Sequence, residues 1–198
     1  GVGSLPIQKN DFVVKGSLPD PELQLANELQ KAFLEGGITT LNQFLSFRKV
    51  KNIQTKDYSK FKLIYEHKGE NIASIVNETN LHSINLFAEQ LLLLCSKKEY
   101  GYGSTENGIK LIEKSWAKEI NFSGLNLTDG SGLSRSNAIS ANHFCQLLKG
   151  IYTSEIYTDF LSSLPIAGCS GTLTNVCRNQ FGHGRIKAKS GTLNRVKS

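Results

Sequence analysis

The chain lacks any long apolar run. Its longest, Leu91–Cys95, is far too short to cross a bilayer, so no membrane-spanning helix is expected. Gly1-Val2-Gly3 is not read as the start of a signal peptide, because no basic stretch precedes an apolar one. Either export information was removed or the chain starts inside a longer protein. Cysteine is scarce. Cys95, Cys145, Cys169 and Cys177 form no C-x-x-C, and no histidine pair completes a zinc pattern, so no metal site is expected. The lysines are scattered, only Lys97 and Lys98 being adjacent, and basic residues do not alternate with aromatics. That pattern argues against nucleic acid as a partner.

What is present is ordinary for a soluble globular protein: 198 residues, 39% hydrophobic and 20% charged. The length suits one domain with a proper core, or part of a larger one. A net charge of +6 fits an anionic surface such as a cell wall.

Helix-like and strand-like stretches alternate in an α+β pattern, with helices dominating the middle. Residues 11–15 read as a strand and residues 16–20 as a turn. Pro21 then opens a helix that carries Leu25, Leu29 and Phe33 and stops at Gly36-Gly37. Residues 38–51 are ambiguous. Lys60–His67 reads as a strand. Helical stretches follow from Asn71, from Ser83 to Leu94 and from Glu106 to Lys118. Another runs from Ser140 to Ile151, and a short one ends before Leu164-Pro165. Ser83 stands at an N-cap position, and Leu86, Phe87, Leu91 and Leu94 are the expected core face of its helix. Cys95 and Cys145 read as buried small hydrophobes. Cys169 and Cys177 bracket a short loop, and a disulfide between them stays open. Residues 182–184 form a turn, and Arg185–Lys189 enters a strand that stops at Ser190-Gly191. Sheet neighbours for that strand are few, which suggests truncation at the C-terminal end too.

Two short words carry chemistry. Ser83-Ile84-Asn85 offers a hydroxyl able to relay a proton and an amide able to hold a substrate backbone. Alone, S-x-N recurs by chance, and Ser83 reads as a plain helix cap. In Lys189-Ser190-Gly191-Thr192 the lysine supplies a cation beside the relay, and the Ser190 hydroxyl can bind a carboxylate. Gly191 admits close approach, and the Thr192 N–H can serve an oxyanion. Alone, this word reads as an exposed strand end. Together and in this order, they read as two of the three active-site elements of penicillin-interactive serine acyl enzymes.

Further words agree: Gly16–Asp20 (GSLPD), Ser83–Glu89 (SINLFAE), Asp129–Arg135 (DGSGLSR), Leu164–Gly168 (LPIAG), Gly171–Leu173 (GTL) and Ile186–Leu193 (IKAKSGTL). With them the chain, from about residue 11 to 198, resembles the D-alanyl-D-alanine carboxypeptidase/endopeptidase family of class C low-molecular-mass penicillin-binding proteins, the S13 serine peptidases. The resemblance implies a partial penicillin-binding-protein/β-lactamase-like transpeptidase fold, a helical cluster packed on an antiparallel sheet. It makes residues 1–198 the C-terminal portion of that domain, truncated at both ends. It implies an extracytoplasmic enzyme, in periplasm or cell wall, that acts on peptidoglycan stem peptides and is acylated by β-lactams without metal or organic cofactor. Ser83, Asn85 and Lys189 would be catalytic, and Ser190, Gly191 and Thr192 would bind substrate. A homo-oligomer stays open.

Departures from the family pattern are informative. K-S-G replaces the usual K-T-G but keeps the hydroxyl, and Ile84 occupies the variable middle position of S-x-N. The nucleophile motif S-x-x-K lacks a convincing copy. Ser46, Ser59 and Ser115 each begin a match, yet none opens a buried apolar helix ahead of S-x-N, where its lysine would lose water and act as base. The family's true motif lies far upstream. A non-catalytic wall-binding or scaffolding homologue is therefore the second reading. A β-lactamase is the third, and the DGSGLSR word argues against it. His67, His82, His143 and His183 are dispersed, with His82 read as an exposed helix-entry residue ahead of one lining the cleft. Asp129 and Ser131 are read as shaping a loop, a general-base role for Asp129 ranking below that.

Overall fold

Pro21 begins the first helix, as its fixed φ and missing N–H favour at that position. Helix α1 is Pro21–Glu35, capped by Asp20, whose carboxylate accepts from the Leu23 N–H at 3.0 Å. It stops at Gly36, and Gly37 follows at φ +75°. The computed structural model describes residues 16, 18–40, 46, 58–193 and 196–197. Two compact units divide the chain, Gly1–Glu66 and His67–Ser198. In the first unit, Ser46 is buried and donates to the Asp20 carboxylate at 2.6 Å. A 3-10 turn covers Tyr58–Lys60. The strand expected at 11–15 and most of the ambiguous stretch at 38–51 lie outside the described residues.

Lys60–His67 is not a strand. Beyond Lys60 it has no regular structure, and Phe61, Leu63, Ile64 and Tyr65 are exposed. Its apolar composition suits a strand, but among the described residues no other segment pairs with it.

The second unit is helical. Helices α2 (Ile72–His82), α3 (Asn85–Tyr100), α4 (Thr105–Trp116), α5 (Ala141–Tyr152) and α6 (Tyr157–Ser163) follow in order. Asn71 caps α2, Ser104 caps α4, and Ser140 caps α5. At α5 the cap is reciprocal: Ser140 Oγ accepts from the His143 N–H at 3.3 Å, and His143 Nδ1 accepts from the Ser140 N–H at 3.1 Å.

Helix α4 folds back onto α3. Gly108 permits this, since a Cβ there would lie 2.7 Å from the Leu92 side chain. Fully buried Ser96 secures the turn between them. Its hydroxyl donates to the Tyr102 carbonyl at 3.0 Å and accepts from the Ser104 N–H at 3.1 Å. Helix α2 packs on α3 and α6. Among the described residues, Leu92, Ile120, Ile151, Leu164, Pro165, Ala167 and Leu173 are buried apolar side chains. An apolar cavity of about 240 Å³ lies beside α4 and α5, lined by Trp116, Phe122, His143 and Leu147 among others.

The core face of α3 differs from expectation. Leu86 and Leu94 are exposed, while Leu92 and Ser96 are buried. Four consecutive leucines, 91–94, span a whole helical turn, so periodicity cannot single out the inward one. Contact with Gly108 does so. Cys95 and Cys145 are exposed rather than buried. All four cysteines are free, so Cys169 and Cys177 are not joined.

Strand structure among the described residues is small. Strand β1 (Thr192–Leu193) pairs antiparallel with β2 (Val196–Lys197), with Thr192 opposite Lys197. Isolated bridges join Asn126 to Ala138 and Ile166 to Lys187. No described helix is long and apolar enough to cross a membrane.

Candidate active site

Ser83 does not cap the following helix. It is the C-cap of α2, in the left-handed conformation at φ 55° and ψ 52°, and its N–H bonds to the Thr79 carbonyl. Ile84 is the N-cap of α3 and provides no side-chain cap bond. S-x-N is thus a tight corner between two helices. A non-glycine residue rarely adopts this conformation, and when it does the site is often functional. Asn85 is exposed at the first position of α3.

The second motif reaches this corner through the loop 164–174. Segment 186–188 runs antiparallel beside 165–167: the Ala167 N–H donates to the Ile186 carbonyl at 2.9 Å, and the Ala188 N–H to the Pro165 carbonyl at 3.1 Å. The loop also rests on the end of α2. Gly171, at φ +55°, lies so close that a Cβ would stand 2.4 Å from the Leu81 carbonyl oxygen. One short loop therefore touches both the residue two before Ser83 and the segment entering Lys189.

Lys189 Nζ donates to Ser83 Oγ at 2.9 Å across 106 residues of sequence. It also donates to the Ser190 carbonyl. Lys189 keeps contact with solvent, but partial burial of its ammonium pushes its pKa below the usual lysine value. The Ser190 hydroxyl donates to Thr172 Oγ1 at 2.9 Å. Gly191 and Thr192 are exposed, and Thr192 begins β1. An amine with a lowered pKa, bonded to a hydroxyl, can pass a proton through that hydroxyl to a bound group.

Glu89, one turn after Asn85, holds the DGSG loop. Its carboxylate accepts from the Gly130 N–H at 3.2 Å and the Ser131 N–H at 3.1 Å. Gly130 allows this approach, because a Cβ would lie 2.9 Å from the Ala88 carbonyl oxygen. Asp129 closes the loop on itself, accepting from the N–H groups of Gly132 (2.7 Å) and Ser134 (2.6 Å) and from Asn137 Nδ2 (3.0 Å). Burial alone would raise its pKa, but these bonds outweigh it and hold the carboxyl below its usual range. A carboxylate so occupied is a loop former, the role its sequence suggests.

The three S-x-x-K matches each have their own setting. Ser46 belongs to the other compact unit, bound to Asp20. Ser59 lies in the 3-10 turn Tyr58–Lys60, and Ser115 is exposed next to the end of α4, with Lys118 beyond it. His82 is exposed and faces Glu78 at 3.6 Å. Thr172, Gly171 and Glu89 went unnoticed in the sequence as individual residues. The signal was in hand, for all three belong to the words GTL and SINLFAE.

Comparison with known proteins decides the family. The model of the D-Ala-D-Ala carboxypeptidase 3 (S13) family matches residues 2–198. The chain belongs to this family. The S13 chain is 28% identical over 209 residues to a D-alanyl-D-alanine carboxypeptidase of Actinomadura sp. (strain R39), covering 96% of its own length and 38% of that protein. It is 26% identical over 202 residues to penicillin-sensitive carboxypeptidase A of Dictyostelium discoideum, covering 99% and 37%. It therefore spans well under half of these curated relatives. Its fold matches that of penicillin binding protein 4 from Haemophilus influenzae. One structure, complexed with a β-lactam, aligns at TM-score 0.76 and 21% identity over 92% of this chain and 41% of that one. Another aligns at 0.74 and 23%, over 87% and 37%.

Proposed function

We propose that this S13 chain contributes the second and third active-site motifs of a serine-type D-Ala-D-Ala carboxypeptidase/endopeptidase that acts on peptidoglycan stem peptides. In motif order it is the C-terminal portion of a transpeptidase-like domain, whose antiparallel sheet is completed by further strands. The observation that carries the reading is the 2.9 Å bond from Lys189 to Ser83, which joins two motifs distant in sequence.

The nucleophile comes from an S-x-x-K outside these residues. Its Oγ attacks the carbonyl carbon of the penultimate D-alanine, and the C–N bond to the terminal D-alanine breaks. The proton released by the nucleophile reaches the leaving amine through Ser83, with Lys189 beside it. Water then hydrolyses the ester. Asn85 holds the substrate amide, Ser190 takes the terminal carboxylate, Gly191 admits the substrate beside the strand, and the Thr192 N–H steadies the oxyanion. β-Lactams acylate the same serine. The substrate places the protein outside the cytoplasm, where its +6 charge suits an anionic wall.

Labelling with a fluorescent penicillin, read by intact mass, tests this. The full-length protein is expected to carry one covalent adduct, and the 198-residue chain none. Labelling of neither would leave a non-catalytic wall-binding or scaffolding homologue as the better reading.

A further inference from the structure

We infer that Thr172 is a positioning residue that holds the Ser190 hydroxyl in place for a substrate carboxylate. This deepens the carboxypeptidase reading above and rests on it.

A serine side chain is free among three staggered wells, whereas threonine's branched Cβ makes it stiff. With serine in the middle of its K-S-G, this chain must orient the hydroxyl by other means. The bond from Ser190 Oγ to Thr172 Oγ1, at 2.9 Å, does that. It also works in both directions. In the free site Ser190 donates to Thr172. When a carboxylate arrives, Ser190 turns its proton to the ligand and accepts from the Thr172 hydroxyl, since each hydroxyl both donates and accepts. The oxygen of Ser190 stays where it is.

Thr172 is well placed to act as the fixed partner. It is the middle residue of the 3-10 turn Gly171–Leu173. Gly171 on one side is wedged against the Leu81 carbonyl, and Leu173 on the other is buried. The Leu173 carbonyl accepts from the Gly168 N–H at 2.9 Å, and the Gly171 carbonyl accepts from Thr174 Oγ1 at 2.8 Å. The Thr172 side chain is itself exposed and adds nothing to the core. Its hydroxyl is thus mounted on a rigid turn whose base is the end of α2, close to Ser83.

The test uses the full-length protein and four variants: Thr172→Val, Thr172→Ser, Ser190→Thr and the double variant Thr172→Val/Ser190→Thr. Thr172→Val should raise KM for a D-Ala-D-Ala peptide by about five- to tenfold, the worth of one net hydrogen bond, with kcat and Tm little changed. Thr172→Ser should stay within about twofold of wild type, because the hydroxyl survives. The loss should vanish for the methyl ester of the same peptide and in the Ser190→Thr background. In a crystal structure of Thr172→Val, Ser190 Oγ should leave the position it holds in the wild type. An equal loss on acid and ester, an equal loss in the Ser190→Thr background, or an unmoved Ser190 would each overturn the inference. A wild-type protein that never acylates would instead overturn the carboxypeptidase reading, and the Ser190 position would still decide the role of Thr172.

Discussion

Gly171 sits against Leu81 with no room for a side chain: a Cβ would stand 2.4 Å from the Leu81 carbonyl oxygen, and the φ of +55° already disfavours any L-residue. This contact sets loop 164–174 on the end of α2, and that loop guides Lys189 to Ser83. Gly171→Ala should therefore destabilise the protein by about 2 kcal/mol or more, through a clash with backbone and a strained φ. Thermal unfolding reads the loss. Penicillin acylation of the full-length variant should fall as well, even under conditions where it remains folded.

Lys189 has its pKa lowered by partial burial from the usual 10.5. Burial disfavours its charged form, so folding is opposed while the amine is protonated in both states. As pH rises through the lowered native value toward 10.5, the unfolded chain binds more protons than the native one. In that window Lys189 makes stability increase with pH. Lys189→Met should remove this increment, as denaturant titrations across the alkaline range would show. Under the proposed relay role of Lys189, acylation of the full-length protein by penicillin should fall on the order of 100-fold or more in the same variant.

Glu89 is the sole described side chain accepting from both Gly130 and Ser131. Glu89→Ala leaves two backbone donors without that acceptor and should cost about 1–3 kcal/mol. Hydrogen exchange at the Gly130 and Ser131 amides should accelerate, while exchange in α5 stays unchanged. Glu89→Gln keeps one carbonyl acceptor and should show a smaller effect at both amides.

Ser96 is fully buried between α3 and α4, and its hydroxyl serves both the Tyr102 carbonyl and the Ser104 N–H. Ser96→Ala should destabilise by about 1–3 kcal/mol, because the Tyr102 carbonyl and the Ser104 N–H both lose their partner while no volume is gained. Ser96→Cys, nearly the same shape but a poor hydrogen-bonding group, should recover little. Chemical denaturation of the three proteins makes the comparison.

Local signals were legible wherever the physics is local. Pro21 and Gly36-Gly37 bound α1, and Ser140 caps α5, because proline's fixed φ and missing N–H, a glycine φ and a capping hydroxyl act within one turn. The failures are those of longer range. KFKLIYEH has strand composition, but pairing needs a neighbour that composition cannot supply. Leu86 and Leu94 look as apolar as Leu92, and only packing on Gly108 separates them. Ser83 has the residue type of an N-cap, yet α2 runs through His82 and α3 starts one residue later than expected, with Ile84 as its N-cap, so Ser83 is a C-cap.

The sequence by itself determined the family and the chemistry on offer: a hydroxyl and an amide in S-x-N, a lysine, a hydroxyl and a glycine in K-S-G, and further words in a chain that matches the S13 family over residues 2–198. These depend on residue identity and order, which a linear string carries whole. Tertiary structure alone decided that Lys189 meets Ser83, that Ser190 meets Thr172 and that Glu89 holds the DGSG loop. Each of those contacts joins residues at least 18 positions apart. Separations of that kind are closed by backbone paths and close packing, through Gly171 on Leu81 and Gly130 on Ala88, and no local preference encodes them.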